Sequence, residues 1–166
     1  PTLTNVTISN NTAQSGGGIY NDESDPTLIN ATLYGNSVTL YGGAIFNGGY
    51  DFGSSPTLNY VTITGNSAGT GGGGMYNEVG PWREYGGFPV INGSIFWDNG
   101  SEITTDTFST PTINDSIIEG GCPANSFCVN NVTNADPKLD ILRDNGGYTQ
   151  TVALLTGSPA IDAGGA

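Results

Sequence analysis

Acidic side chains are the residues of this 166-residue chain with the clearest potential for chemistry. Two carboxyl groups about 5–10 Å apart can hydrolyse a glycosidic bond, one acting as acid and the other as base or nucleophile. A lyase would instead need a Lys or Arg near a substrate carboxylate, and Arg83 is the candidate. Scattered loop acids are more often solvated than catalytic, so an enzyme is the alternative interpretation and a non-enzymatic role the leading one. The candidate acids are Asp22, Glu23, Asp25, Asp51, Glu78 and Glu84.

Aromatic residues lie in the same short segments and suggest a binding surface. Tyr50 and Phe52 lie in one segment, and Trp82 and Tyr85 flank Arg83 in the next. Aromatic rings on loops above a rigid scaffold suit stacking on a sugar, and they suit contact with another subunit equally well. Packing back onto the scaffold is the other explanation for Trp82. These five residues are the predicted ligand or subunit contacts.

A repeated segment must position these loops. The stretch PTLTNVTISNNTAQSGGGIYN (residues 1–21) returns from Pro26 and Pro56, and shorter copies start at Pro89 and Pro111. Alternation of apolar and polar residues in each copy predicts a short strand, and the Gly run predicts a sharp turn. The copies show no helical periodicity. Five copies of this kind are typical of a stacked-repeat protein.

Equivalent residues of successive copies form columns, which predict an all-β, single-stranded parallel β-helix (β-solenoid) of about five coils. Asn residues form further columns, in which side-chain amides can hydrogen-bond to one another. The apolar columns are Leu3/Leu28/Leu58/Ile91/Ile113, Val6/Ala31/Val61/Ser94/Ser116, Ile8/Leu33/Ile63/Phe96/Ile118 and Ile19/Ile45/Met75. The Asn columns are Asn11/Asn36/Asn66/Asn99 and Asn21/Asn47/Asn77.

Non-repeated segments predict where the solenoid departs from regularity. Residues 22–25, 48–55 and 78–88 each follow the same motif position, so they should emerge at one edge. Residues 103–110 are a fourth insertion. The repeats fill residues 1–121, and residues 122–166 of the same domain supply a disulfide loop and a C-terminal cap over the last coil. The expected packing residues of that cap are Leu139, Ile141, Leu142, Val152, Leu154, Leu155 and Ile161.

Net charge limits the partners. Asp and Glu outnumber Lys and Arg by 15 to 3, giving −12. This charge repels phosphate backbones and anionic lipids, so nucleic-acid binding and direct membrane insertion are not expected. No cofactor or metal site is predicted, although hard oxygen ligands in residues 22–25 leave Ca²⁺ as a minor alternative.

Two Cys residues and several sequons point to an exported protein. Cys122 and Cys128 enclose a short loop and are expected to form a disulfide in an oxidising compartment. We read the chain as an internal or processed piece of a longer exported protein. Sequons, which are weak evidence for glycosylation in an Asn-rich chain, occur at Asn5, Asn10, Asn30, Asn92, Asn99, Asn114 and Asn131.

Two motif sets resemble known surface proteins. GGAIFN (residues 42–47) with YGNS and TGNS resembles the GGA-I and F-x-x-N repeats of chlamydial polymorphic outer-membrane proteins. The whole chain, above all LRDNGGYTQT and GSPAIDAG near its end, is similar to the choice-of-anchor Q surface proteins of bacteria and archaea. The resemblance implies an exported right-handed parallel β-helix, extracellular or on a cell surface, and implies no catalytic residues.

These observations favour a structural role, as a subunit of an extracellular filament or an adhesin-like surface module. Self-association through the coil ends or the edge loops is expected, because unpaired strand edges invite pairing. A glycan or a host surface is the other expected ligand. The alternative is a polysaccharide-binding module, or a polysaccharide lyase or glycoside hydrolase built on the same fold.

Overall fold

A computed structural model describes residues 1–78, 86–130 and 132–163, and these residues form strands and turns without a helix. None of the described segments is therefore a helix that could cross a membrane. In chain order the strands are β1 (Thr2–Thr4), β2 (Thr7–Ser9), β3 (Thr12–Ala13), β4 (Ile19–Asp22), β5 (Thr27–Ile29), β6 (Thr32–Tyr34), β7 (Ser37–Val38), β8 (Ile45–Gly48), β9 (Thr57–Asn59), β10 (Thr62–Thr64), β11 (Ser67–Ala68), β12 (Met75–Asn77), β13 (Val90–Asn92), β14 (Ile95–Trp97), β15 (Ile103–Thr105), β16 (Thr112–Asn114), β17 (Ile117–Ile118), β18 (Phe127–Val129), β19 (Leu139–Arg143) and β20 (Thr151–Leu154).

Four parallel sheets run along the solenoid, which confirms the predicted all-β parallel β-helix. Sheet 1 contains β1, β5, β9, β13, β16 and β18, and sheet 2 contains β2, β6, β10, β14 and β17. Sheet 3 contains β3, β7 and β11, and sheet 4 contains β4, β8, β12 and β15. The register pairs equivalent repeat residues, such as Leu28 with Leu58 and Leu58 with Ile91. The predicted apolar columns therefore form one continuous buried core.

The corner between sheets 1 and 2 explains why the copies carry Asn and Gly after the first strand. The corner residue has a positive φ in successive coils, 53° at Asn5, 51° at Asn30 and 53° at Gly93. Asn and Gly reach this left-handed region at lower cost than other residues. Tyr60 occupies the same corner with a φ of 57°.

The Gly run of the repeat is explained by close approach between coils. A Cβ on Gly43 would lie 2.4 Å from the carbonyl oxygen of Gly73 in the next coil. One on Gly73 would lie 1.8 Å from the carbonyl oxygen of Asn99. Any side chain at these positions would push neighbouring coils apart, so the glycines are required for the stacking itself.

Two boundaries differ from the sequence-based expectation. Ile103–Thr105 is not part of an insertion, because β15 pairs with β12 and Ile103 continues the column after Met75. The repeat also does not stop at Gly121, since β18 adds a further strand to sheet 1 and places Cys128 beside Ile113. Both segments keep the inward apolar position but lack the Gly run of the earlier copies, whereas the corner Asn persists after β18 as Asn130, with a φ of 59°.

The C-terminal hairpin lies along the side of the solenoid, whereas the sequence predicted a cap over the last coil. Strands β19 and β20 pair antiparallel. The Oγ1 of Thr7, in strand β2 of the first coil, donates to the carbonyl oxygen of Gln150 beside the hairpin tip (2.5 Å). Val152 is buried, but Ile141 is 64% exposed. We call residues 139–154 the strap. The core near β16 and β17 is instead covered by Cys128 and Val132.

Candidate functional site

The predicted insertions lie next to one another at one edge, because hydrogen bonds join each loop to the next. The backbone N–H of Ser24 donates to the Oγ of Ser54 (3.0 Å). The Oδ1 of Asp25 accepts from the backbone N–H of Ser55 (2.6 Å), whose Oγ accepts from the N–H of Phe88 (2.9 Å). These contacts build a loop stack alongside the four sheets.

Two of the candidate acids of this edge, Glu23 and Asp25, accept hydrogen bonds from backbone N–H groups. The Oε1 of Glu23 accepts from the backbone N–H groups of Tyr50 (3.1 Å) and Asp51 (2.8 Å). The hydrogen bond from Asp51, followed by burial acting the other way, leaves the pKa of Glu23 below its ordinary value. Glu23 and Asp25 therefore fasten one loop to the next by accepting hydrogen bonds from backbone N–H groups. Glu84 lies outside the described residues.

Of the five predicted contact residues, Tyr50 and Phe52 lie in the described part of the loop stack. Both side chains are more than half exposed. Trp82, Arg83 and Tyr85 lie outside the described residues.

A column of aromatic rings on sheet 4 runs beside the loop stack, and the sequence analysis did not single it out. Tyr20, Phe46 and Tyr76 are register partners, with ring centroids 4.7 Å apart for the first pair and 6.0 Å for the second. A groove of about 360 Å³ lies where this column meets Tyr50 and Glu78. The Tyr or Phe that recurs before the Asn in GGIYN (residues 17–21), GGAIFN (residues 42–47) and GGMYN (residues 73–77) is the signal that predicts the column.

The first Asn column forms a buried hydrogen-bonded ladder, as the sequence predicts. The Nδ2 of Asn11 donates to Asn36 (2.9 Å), that of Asn36 to Asn66 (2.9 Å) and that of Asn66 to Asn99 (2.8 Å). Each accepting Oδ1 also receives the backbone N–H of the preceding rung. The second column, Asn21, Asn47 and Asn77, is linked in the same way and ends on Thr105.

A carboxyl group ends the first ladder. The Oε1 of Glu102 accepts from the backbone N–H of Asn99 (2.9 Å), and its Oε2 accepts from the Asn99 Nδ2 (2.5 Å). Burial, with a smaller contribution from the neighbouring Glu119, raises the pKa of Glu102 to about 7, against the two hydrogen bonds from Asn99. Sequence reasoning missed Glu102, because its role depends on the ladder above it.

Replacing Glu102 by Gln should remove a pH dependence of stability. Between pH 4.5 and pH 7 the folded protein holds a proton on Glu102 that the unfolded chain, with a pKa near 4.5, has released. The free energy of unfolding of the wild type should therefore fall by about 3 kcal/mol as the pH rises from 4.5 to 7. Glu102→Gln should lack this fall, so its stability relative to the wild type should rise by about 2–3 kcal/mol between pH 5 and pH 8, as urea unfolding at the two pH values would measure.

The exposed loop residue Asp144 provides a matched control. Asp144→Asn removes one negative charge without touching the ladder, so its stability difference from the wild type should change little between the two pH values. Our assignment would be wrong if Glu102→Gln differed from the wild type by the same free energy at pH 5 and at pH 8.

Cys122 and Cys128 form the predicted disulfide, with their Cα atoms 6.1 Å apart. The bridge joins the loop after β17 to β18, whose Cys128 packs against the core.

The sequon residues fall into different environments. Asn99 is buried, and its Nδ2 also donates to the carbonyl oxygen of Ile63. The Nδ2 of Asn114 donates to Asn92, and that of Asn92 donates to Asn59, along the outer face of sheet 1. Asn131 lies outside the described residues. Exposed positions are held by Asn5, Asn10 and Asn30.

A larger cleft separates the strap from the outer face of sheet 2. Its volume is about 670 Å³, and it is bounded by Tyr34 and Trp97 on the sheet side and by Lys138 and Leu139 on the strap side. The alternation of β14 turns Phe96 into the core and leaves Trp97 outside. The cleft exists only because the strap lies alongside the sheet.

Among the described residues, no group of three or more His, Cys, Asp or Glu is close enough to hold a metal ion. The acids of residues 22–25, considered above for Ca²⁺, include the two that bind backbone N–H groups of the following loop.

A family model of a known repeat matches one coil of this chain, although the match covers only a small part of its length. The model of the Chlamydia polymorphic membrane protein repeat matches residues 5–22. No curated protein and no solved structure matches the chain. The matched residues run from the first corner to the end of β4, which is almost one full coil. Together with the parallel stacking and the disulfide, this match indicates a β-helix repeat protein of the cell-surface type.

Proposed function

We propose that this chain is a non-enzymatic structural module of an extracellular or cell-surface assembly, as a filament subunit or an adhesin-like module. The observation that carries the proposal is the unbroken stacking of repeat units in register. Buried polar side chains such as Asn36 and Asn66 bind their counterparts in the adjacent coils. These side-chain amides therefore hold adjacent coils together, and the resulting rod presents loops on one edge.

The edge of the first coil can take a further layer, either a coil that precedes residue 1 in a longer chain or another subunit. Leu3, Ile8 and Ile19 are only partly buried, whereas their register partners in the second coil are completely buried. The strands β1 to β4 each have a partner on one side. An edge of this kind accepts a further strand layer through backbone hydrogen bonds and apolar contact.

A polysaccharide-binding role is the second candidate, and the aromatic groove beside Tyr50 favours it. Stacked rings provide a flat apolar surface, and nearby carboxylates accept hydrogen bonds from hydroxyl groups. Lyase or glycosidase activity is the less favoured form of this candidate, because Glu23 and Asp25 already bind backbone N–H groups.

Electron cryomicroscopy of the native protein, with sedimentation velocity, tests the filament role. We expect head-to-tail particles whose formation is suppressed by Ile8→Lys, which places a charge at the exposed edge. Tyr148→Lys is the matched control, because Tyr148 is fully exposed near the strap tip. Dispersed rods for the wild type, or equal effects of the two variants, would contradict end-to-end assembly through this face.

A further inference from the structure

We propose that the cleft between the strap and sheet 2 binds a neutral, extended glycan whose chain runs parallel to the solenoid axis. This site is distinct from the edge loops, and it goes beyond the structural role proposed above. Its elements are two aromatic rings and a recess between them.

The spacing of the rings follows from the strand register. Tyr34, Thr64 and Trp97 are register partners on β6, β10 and β14, so all three face outward from sheet 2. Neighbouring strands lie about 4.8 Å apart, which separates Tyr34 from Trp97 by about 10 Å. Thr64 lies between them and lines the cleft with a much smaller side chain, so the floor of the cleft is lower between the two rings. Successive sugar rings of an extended glycan lie about as far apart as neighbouring strands do. Sugar rings two positions apart would therefore meet Tyr34 and Trp97.

The strap and the residues that flank it, 136–138 and 155–156, supply the opposite wall and its polar groups. Lys138 and Asp136 line the cleft, and the backbone N–H of Lys138 donates to the Oδ1 of Asp136 (2.8 Å). Asp140 also lines the cleft and forms an ion pair with Arg143. Carboxylates, an ammonium group and the hydroxyl of Thr156 can exchange hydrogen bonds with sugar hydroxyls, whereas an apolar peptide would leave them unpaired.

Charge selects a neutral glycan over an acidic one. Asp98, Asp136 and Asp140 line the cleft together with Lys138, Arg143 pairs with Asp140, and the chain as a whole carries −12. A uronate polymer would therefore be repelled, while hexoses and pentoses are not affected by this field. The volume of about 670 Å³ lies in the range of small-ligand sites and suits a short stretch of glycan.

Isothermal titration calorimetry with cellohexaose, xylohexaose, mannohexaose and hexagalacturonate tests the proposal. We expect at least one neutral hexasaccharide to bind more tightly than hexagalacturonate. Trp97→Ala and Tyr34→Ala should each weaken that binding about tenfold, the loss expected for one stacking ring. Trp97→Phe should retain part of the affinity. Circular dichroism would verify the fold, and Tyr34→Ala carries the test if Trp97→Ala fails to fold.

Tyr148→Ala is the matched control, because Tyr148 is fully exposed and does not line the cleft, and it should leave the affinity unchanged. Tyr50→Ala distinguishes this cleft from the other candidate surface. Loss of binding in Tyr50→Ala, with normal binding in Trp97→Ala and Tyr34→Ala, would move the glycan site to the edge loops and overturn this proposal. Absence of binding to all three neutral probes, or tighter binding of hexagalacturonate, would also overturn it. The filament experiment is unaffected by either outcome, since it tests the face formed by the first coil.

Discussion

Replacing Leu58 by Asp is expected to prevent the solenoid from folding. Leu58 is completely buried in β9, in register with Leu28 before it and Ile91 after it. A carboxylate there has no cation or donor among its column neighbours. The cost of about 4–5 kcal/mol or more would consume most of the stability of a typical domain. Circular dichroism and urea unfolding should show loss of the cooperative β signal.

Two control variants distinguish the effect of burying a charge from the effect of changing the residue at all. Leu58→Met keeps the volume and apolarity, so it should cost less than about 1.5 kcal/mol. Thr57→Asp places the same charge on the neighbouring outward position of β9, where water can solvate it. A cooperative unfolding transition of Leu58→Asp at the wild-type urea concentration would refute the assignment of this column to the core.

Replacing Asn66 by Leu is expected to give the second largest loss, about 3–5 kcal/mol. The Oδ1 of Asn66 accepts both the backbone N–H and the Nδ2 of Asn36. Its Nδ2 donates to the Oδ1 of Asn99 and to the carbonyl oxygens of Leu33 and Thr64. Leu has a similar volume but leaves these buried groups without a partner, and each unpaired group costs about 1–3 kcal/mol. Urea unfolding at constant pH measures the loss.

Asn59→Leu is the matched control on the outer face of sheet 1. Asn59 accepts a hydrogen bond from Asn92 but is only half-buried, so water can replace the lost partner. The register position of Asn59 in the preceding coil is Ile29, which shows that this column accommodates an apolar residue. Equal losses for Asn66→Leu and Asn59→Leu would mean that burial does not govern the strength of the ladders.

The loop stack was predictable from sequence, because equivalent positions of stacked coils lie above one another. The loops after Asn21 and Asn47 therefore had to share an edge, and the pairing of Ser24 with Ser54 bears this out. The cleft was not predictable in the same way. Trp97 could be assigned to an outward position from the alternation in β14, but nothing local indicated what would lie opposite it.

The sequence by itself determined the parallel β-helix, its register and its buried columns. Each coil repeats the same pattern, so a single register buries Leu28 against Leu58 and joins Asn36 to Asn66 at once. A shift by one residue would turn every inward side chain outward. Because every coil carries the same pattern, several copies independently indicated the same register.

Only the tertiary structure decided the positions of the segments that occur once. The strap lies beside sheet 2, Glu102 ends the first ladder, and Ile103 extends sheet 4, although none of these segments carries the full repeat motif. Their placement depends on side-chain packing against a surface formed by residues far away in sequence. The contact between Thr7 and Gln150 spans nearly the whole chain. Local pattern contains no information about such a pairing, and the cleft is one of its consequences.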